Sequence, residues 1–353
     1  MSDFIRSSEI LRTENLTVSF TVKKGILKKA QLNAVDGVSV SIEGGTTLAV
    51  VGESGSGKTT FGKTLIGLIK PSAGAVYYRG QNIWKMDRKQ FMQFRMKAQM
   101  IYQDPYSSLN PRKKVYDILA IPIRVHKLVD LEQEQAAVYS ALEDVGLFPA
   151  AAFAEKYPFE LSGGQRQRVA IARAMVLRPE IVVADEPITM LDASLRLGVL
   201  DTMLSLQKRM NLSLLFITHD LGMAYYIAGT TGKIAVIYLG SLVEYGPASE
   251  VLKDPLHPYT KALLSALPEP DPIKSRSKEL MKLRNMEPTD PTKAPPGCKF
   301  SDRCPFAFER CYRERPLLSD KGDEKVACFL YDVPGVPISP EKPAKRRGVP
   351  TGS

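Results

Sequence analysis

Short runs that are apolar almost throughout recur along the chain, at residues 47–51, 181–184 and 212–218. Each has the length of a strand covered on both faces. Between and after them, 58–69 (with Leu65, Ile66, Leu68 and Ile69 apolar), 193–210 and 221–228 read as helices. Strand and helix in alternation predict a mainly parallel α/β sheet, with its chemistry at the carboxyl ends of the strands. Further strands are expected at 99–102, 233–239 and 242–245.

Other regions break this rhythm. Residues 9–20 (Ile10, Leu11, Leu16, Val18, Phe20) and 34–42 (Val35, Val38, Val40, Ile42) alternate as half-buried strands do. They predict an antiparallel β subdomain, its strands joined by the basic connection 23–29. A short strand at 75–78 lies between turns, and a helix is expected at 87–97. Residues 106–157 read as helical, with stretches at 115–126 and 131–145, so a helical subdomain is inserted at about 105–177. Ser162 is placed as the N-cap of a helix running to Met175. From Glu287 onward prolines become frequent, helical periodicity fades, and all four cysteines occur. The expected organisation is a main domain over 8–254, a small C-terminal module over 255–335 and a disordered basic tail over 336–353.

Gly52-Glu53-Ser54-Gly55-Ser56-Gly57-Lys58-Thr59 directly follows the first apolar run and opens the first helix. It fits the pattern G-x-x-x-x-G-K-[ST], in which backbone N–H groups and a positive helix end converge on one point, a site for polyphosphate. Lys58 would meet the β- and γ-phosphates there, and the Thr59 hydroxyl would ligate Mg²⁺. Thr60 continues the same turn. Gln103, Asp185-Glu186 and His219-Asp220 close later strands. Phe20, ending the first, offers either a stacking face for a purine or plain packing.

The 353 residues, 44% hydrophobic and 24% charged, leave room for one large domain with a smaller one. No apolar run approaches the ~18 residues of a membrane-spanning helix. The opening Met1-Ser2-Asp3-Phe4-Ile5-Arg6 lacks a secretion pattern, so a cytoplasmic chain is expected that meets a membrane through a partner. The formal net charge is +10. Residues 271–353 hold 17 lysines and arginines against 12 acidic residues, so half the excess falls there. No interleaved aromatics accompany it, which favours a generic basic surface facing anionic lipid over specific nucleic-acid binding.

With the glycine loop, Gln103, Leu161-Ser162-Gly163-Gly164-Gln165, Asp185-Glu186 and His219 in this order, the sequence resembles the nucleotide-binding subunit of an ABC transporter. The resemblance implies a P-loop NTPase of the ABC ATPase type that binds ATP with Mg²⁺. It implies that Gly52 to Thr60 and Phe20 hold ATP, and that Thr59, Gln103 and Asp185 attend the metal. Glu186 would be the general base, with His219 sensing the γ-phosphate and Gln103 touching the metal or the lytic water. Ser162, Gly163, Gly164 and Gln165 would complete the ATP site of an opposing subunit in a head-to-tail dimer, and Asp192 would lie on the loop crossing that interface. Met190 departs from the alanine usual in that loop, which leaves interface packing less defined than the phosphate chemistry.

A narrower resemblance rests on residues 103–112 (QDPYSSLNPR), His257-Pro258-Tyr259-Thr260 and the cysteine-bearing end. Together they look like the oligopeptide/dipeptide permease branch, the LNPR stretch resembling the second of its two ATPase subunits. That branch also includes importers of oligosaccharides and nickel. It implies a second ATPase subunit, paralogous or identical, two transmembrane permease subunits, a substrate-binding receptor, and a peripheral place on the cytoplasmic face of the membrane. Two other classes remain open: a soluble ABC ATPase of DNA repair or translation, and a binding-only subunit, although Lys58, Asp185, Glu186 and His219 are all present.

Cys298, Cys304, Cys311 and Cys328 have five, six and sixteen residues between them, matching neither the usual zinc nor the ferredoxin spacing. Structural disulfides are not expected in a cytosolic chain. The layout resembles the [4Fe–4S]-bearing end of the permease branch, with zinc or unligated thiols as the alternatives. Any cluster is expected to be structural, since the ATP motifs lie far from these cysteines in sequence.

Overall fold

The computed structural model describes residues 9–24, 28–267, 280–287 and 289–332. The tail expected over 336–353 lies outside the described residues.

An antiparallel sheet comes first, built from β1 (Glu9–Lys24), β2 (Lys28–Val38) and β3 (Ser41–Glu43), which pair around β1. The antiparallel subdomain is as expected, but its basic connection is not a loop. Lys23, Lys24, Lys28 and Lys29 pair across a long hairpin, and the single strand expected over 34–42 divides into β2 and β3.

The main chain then enters β4 (Thr47–Val51), every residue of which is buried, and turns through the glycine loop into α1 (Lys58–Leu65). This helix ends four residues before the expected Ile69. Gly67 takes φ +73°, and the amides of Gly67 and Leu68 donate to the carbonyls of Thr64 and Lys63 at 3.1 and 2.8 Å, a left-handed stop that satisfies the last turn.

The strands β5 (Ala73–Tyr78) and β6 (Gln81–Asn82) extend the antiparallel sheet, β5 pairing with β1. Next come α2 (Arg88–Lys97), which Asp87 and Gln90 cap reciprocally, and β7 (Ala98–Ile101). The helical insertion comprises α3 (Pro105–Ser108), α4 (Val115–His126), α5 (Glu134–Asp144), α6 (Ala150–Ala154) and α7 (Gly163–Met175). β8 (Ile181–Asp185) returns the chain to the core, followed by α8 (Ala193–Met210), β9 (Ser213–Thr218), α9 (Leu221–Ala228), β10 (Lys233–Tyr238) and β11 (Ser241–Pro247).

The large sheet runs β11-β10-β4-β9-β8-β7, with β10 to β7 parallel and β11 antiparallel. Its strands are sandwiched as their apolar runs require: Leu48 and Val50 of β4 face the layer containing α1, Ala49 and Val51 the layer containing α9. Burying each Val or Ile side chain in such a strand contributes about 1.5–3 kcal/mol. Gly62 brings α1 tight against the sheet, since a Cβ there would stand 2.8 Å from Ile217 and Val183.

After α10 (Ala248–Lys253) and α11 (Pro258–Ser265), the cysteine-bearing region is more than an appendage. Its hairpin, β12 (Ser319–Lys321) and β13 (Glu324–Val326), pairs with β11 and so continues the main sheet. No helix among the described residues is long and apolar enough to cross a membrane.

Candidate functional site: a phosphate loop at the sheet's carboxyl edge

Strand register brings the sequence-separated residues together. Val51 pairs with Thr218, Asp185 with Ile217, and Ala184 with Ile101, so β4, β9, β8 and β7 end on one edge. Gly52, His219, Glu186 and Gln103 each lie one or two positions beyond those ends. They surround a cavity of about 720 Å³ whose wall includes Phe20, residues 53–60, Gln103, Glu186 and His219. Ala34 and Leu263 also line it, and no local pattern had marked them.

The loop geometry needs its glycines. Gly57 has φ +96°, and a Cβ on it would fall 1.8 Å from the Ala34 carbonyl oxygen; at Gly52 one would meet the Ile237 oxygen at 2.2 Å. Lys58 is buried, its Nζ donating to the carbonyls of Gly52 and Glu53 at 2.7 and 2.9 Å and standing 3.8 Å from Glu186 Oε1. Burial lowers its pKa, while Glu186, Asp185 and Glu53 act to raise it. Thr59 Oγ1 donates to Asp185 Oδ1 at 2.9 Å, so these side chains share one polar position at the foot of the loop. Burial raises the Asp185 pKa and the Thr59 hydrogen bond opposes it.

Glu186 occupies the left-handed backbone region, φ +44°, with its amide donating to Ile217 O at 3.0 Å. A non-glycine residue held there costs energy that the surrounding fold must offset, and such residues gather at working sites. The turn aims the carboxylate at its neighbours. Oε2 accepts from Thr189 Oγ1 at 3.1 Å and Gln103 Nε2 at 3.4 Å, and lies 3.2 Å from His219 Nδ1. Thr189 opens the loop that carries Asp192, and its bond to Glu186 was missed.

With that geometry in place, the similarities are informative. Residues 35–189 match the ABC transporter family, and residues 243–311 match the C-terminal region of the oligopeptide/dipeptide transporter family. The chain is 43% identical to the dipeptide transport ATP-binding protein DppF of Escherichia coli over 92% of this chain and 95% of that one. It is 41% identical to the oligopeptide transport ATP-binding protein OppF of Salmonella typhimurium, covering 92% and 96%. The chain belongs to the oligopeptide/dipeptide family of ABC transporter ATP-binding proteins. The fold is also similar to that of the dimeric ATP-binding cassette MJ0796 with ADP and phosphate (TM-score 0.59, 25% identity, 68% of this chain and 99% of that one). For cbiO1 of Clostridium perfringens the TM-score is 0.60 at 25% identity, over 70% and 92%.

This ABC ATPase keeps a second set of motif residues outside its own cavity. Ser162 and Gln165 form a reciprocal cap at the start of α7, with Gly163 and Gly164 packing near Leu191 and Leu195. None of the four lines the cavity. Asp192, exposed at the start of α8, makes no side-chain capping bond, and Met190 is exposed beside it. The C-terminal match separates this ATPase from the DNA-repair and translation class.

The cysteines occupy one small pocket with His257, Phe300, Phe306 and Phe329. All four are free thiols. Burial pushes Cys298 up to about 11, Cys304 and Cys328 up to about 12, and Cys311 upward as well. Among the described residues, no group of three or more His, Cys, Asp or Glu side chains is arranged to hold a metal ion.

Far apart in sequence, this module and the phosphate loop meet in space. Arg303, buried one residue before Cys304, places Nη1 3.0 and 2.9 Å from the two carboxylate oxygens of Glu53, inside the phosphate loop. The Glu53 amide donates to the Tyr259 hydroxyl at 2.8 Å. Tyr259 is fixed in turn because His257 Nδ1 caps α11 and Glu244 accepts the amides of Leu256 and His257 at 2.7 and 2.9 Å.

Proposed function

We propose that the chain binds MgATP in the loop cavity and hydrolyses it to drive an importer of oligopeptides or dipeptides. The observation that carries this reading is the meeting of Lys58, Gln103, Thr189 and His219 on one strained Glu186 beside the phosphate loop. Lys58 meets the terminal phosphates, and Thr59, Gln103 and Asp185 would hold Mg²⁺, which when bound would supply charge stabilisation to the transferred phosphoryl group. Glu186 takes the proton of the attacking water, with Gln103 and His219 holding its carboxylate. Phe20, exposed at the cavity wall, gives the base a stacking face. Ser162 to Gln165, which do not line their own chain's cavity, complete the site of a second ATPase subunit across a head-to-tail interface, with Asp192 beside it.

The ATPase domain spans 8–254 and the C-terminal module 255–335. The chain sits on the cytoplasmic face of the membrane, bound to two permease subunits that receive solute from a separate receptor. A groove of about 390 Å³ between core and helical insertion suits the permease contact: it mixes apolar Leu68 and Ile121 with Arg95 and Lys113, and Tyr102 of its wall directly precedes Gln103. Co-purification of the chain with permease subunits, and ATP-dependent peptide uptake by vesicles carrying the complex, test this function. Uptake that survives Lys58→Ala in every ATPase subunit would overturn it.

In the module, a [4Fe–4S] cluster on Cys298, Cys304, Cys311 and Cys328 is the reading that suits the donor set. Burial is the larger effect and favours the thiols, while backbone amides of Phe300, Phe306 and Leu330 donate to Cys298, Cys304 and Cys328 and act in the direction of thiolate. Ligation requires the four thiols to lose protons and draw together. Anaerobically purified protein should carry about four irons per chain and lose them on Cys304→Ser; iron-free protein without absorbance near ~400 nm refutes the cluster.

A further inference from the structure

Glu53 is held from three sides. Its carboxylate faces Arg303, its amide donates to Tyr259, and its carbonyl accepts from Lys58. Two of those partners come from beyond the ATPase domain, 206 and 250 residues away in sequence. Arg303 is itself confined: its guanidinium lies over the rings of Phe300 and Tyr238 at 5.7 and 5.9 Å, and Nη1 reaches the Tyr238 hydroxyl at 3.4 Å. Tyr238 ends β10, the strand that pairs with β4.

We propose that Arg303 and Tyr259 are positioning residues for the phosphate loop, so that the C-terminal module sets the affinity of this chain for ATP. When Lys58 leaves the carbonyls of Gly52 and Glu53 to meet phosphate, the first turn of the loop loses two of its internal ties and keeps the Ser56 amide on the Glu53 carbonyl at 3.2 Å. Arg303 and Tyr259 remain to keep it in a binding shape. Arg303 also neutralises an acidic side chain that would otherwise repel polyphosphate. Both effects act when nucleotide binds; neither residue touches Glu186 or the attacking water. The proposal rests on residues 52–60 being the nucleotide site.

The test measures binding of a fluorescent ATP analogue and steady-state ATPase activity in the full-length chain. Arg303→Gln should weaken ATP binding about tenfold, the loss of one charge-assisted bond. Turnover at saturating ATP should stay within about twofold. Glu53→Gln loses the same bond together with the repelling charge, so it should weaken binding less than Arg303→Gln; the double variant should be no worse than Arg303→Gln alone, and Arg303→Lys should recover only part of the affinity. A module that merely stabilises the fold would lower the melting temperature and leave affinity unchanged well below it. Unchanged affinity in folded Arg303→Gln, or losses that multiply in the double variant, overturns the clamp. Should Arg303→Gln fail to fold, Glu53→Gln and Tyr259→Phe probe the same contacts. Lys58→Ala separates the two claims: if it abolishes binding while Arg303→Gln does nothing, only the clamp falls; if binding survives Lys58→Ala, the nucleotide site falls and the clamp with it.

Discussion

Replacing Glu186 by glutamine changes one oxygen for an amide nitrogen and leaves the rest of the site in place. The left-handed turn at φ +44° suits glutamine as well as glutamate, so no new backbone strain enters. Thr189 and Gln103 can still donate to the remaining carbonyl oxygen, but the side chain no longer accepts a proton. A positioned base is worth about 10²–10⁴ in rate, or about 2.7–5.4 kcal/mol in barrier. Binding should move the other way if at all. The 3.8 Å approach between Lys58 and Glu186 competes with phosphate for the ammonium group in the empty site, and glutamine removes that competitor. Single-turnover phosphate release should therefore fall at least about 100-fold while analogue binding is kept or strengthened. With hydrolysis blocked, ATP should hold the subunits together, visible as an ATP-dependent dimer by light scattering. Turnover within about tenfold of wild type would show that another group activates water and would refute the role given to Glu186.

Gly57→Ala forces a Cβ to 1.8 Å from the Ala34 oxygen at φ +96°, so nucleotide affinity should fall by at least about tenfold, measured by analogue titration. Ser162→Arg should leave ATP binding at its own loop intact yet stop hydrolysis at a wild-type partner's loop; in mixed dimers, loss confined to the variant's own loop would rule out the head-to-tail arrangement. Glu324, buried against Glu244 and near Glu250 and Asp254, is pushed up to about 7 chiefly by burial. A raised carboxyl pKa leaves its full stability contribution below the unfolded value of 4.5 and loses it as pH rises through about 7. Glu324→Gln should therefore be more stable than wild type by roughly 3 kcal/mol at pH 8, with the gap closing toward pH 4, in urea denaturation followed across that range.

The parts of this molecule that could be read from sequence are those whose cause is local. Helices at 115–126, 193–210 and 221–228 fall where they were expected, and β8 follows from four consecutive apolar residues. The edge that gathers the candidate site was legible because parallel strands align their ends, so Gln103, Glu186 and His219 had only to close such strands to meet. The hairpin of β12 and β13 was not: each strand has three residues, mostly polar, and its place depends on β11, about eighty positions earlier. Thr189 opens the loop that carries Asp192, and nothing in that loop pattern signals its bond to Glu186. Arg303 is one arginine among many in a basic region, and an ion pair across 250 residues leaves no periodicity to detect.

An acidic residue at the second position of a phosphate loop needs an explanation, because it places a carboxylate beside a ligand carrying several negative charges. Lys58 does not answer it, since that ammonium is needed at the phosphates and its amine bonds the Glu53 carbonyl, not the carboxylate. Arg303 does, and an arginine suits that role because a guanidinium stays charged when buried, whereas a buried lysine is prone to lose its proton. The arginine is 7% exposed and its carboxylate partner 34%, so the cation is anchored within the module and the anion belongs to the loop. The direction of control follows. The module is packed around Phe300, Tyr238 and Tyr259 and bonded to the main sheet through β13, so it is the fixed body, and the loop takes its shape from it. A change that loosens residues 298–304, whether by substitution at a cysteine or by loss of anything the cysteines hold, should therefore reach ATP first as weaker binding, before any loss of the chemistry at Glu186.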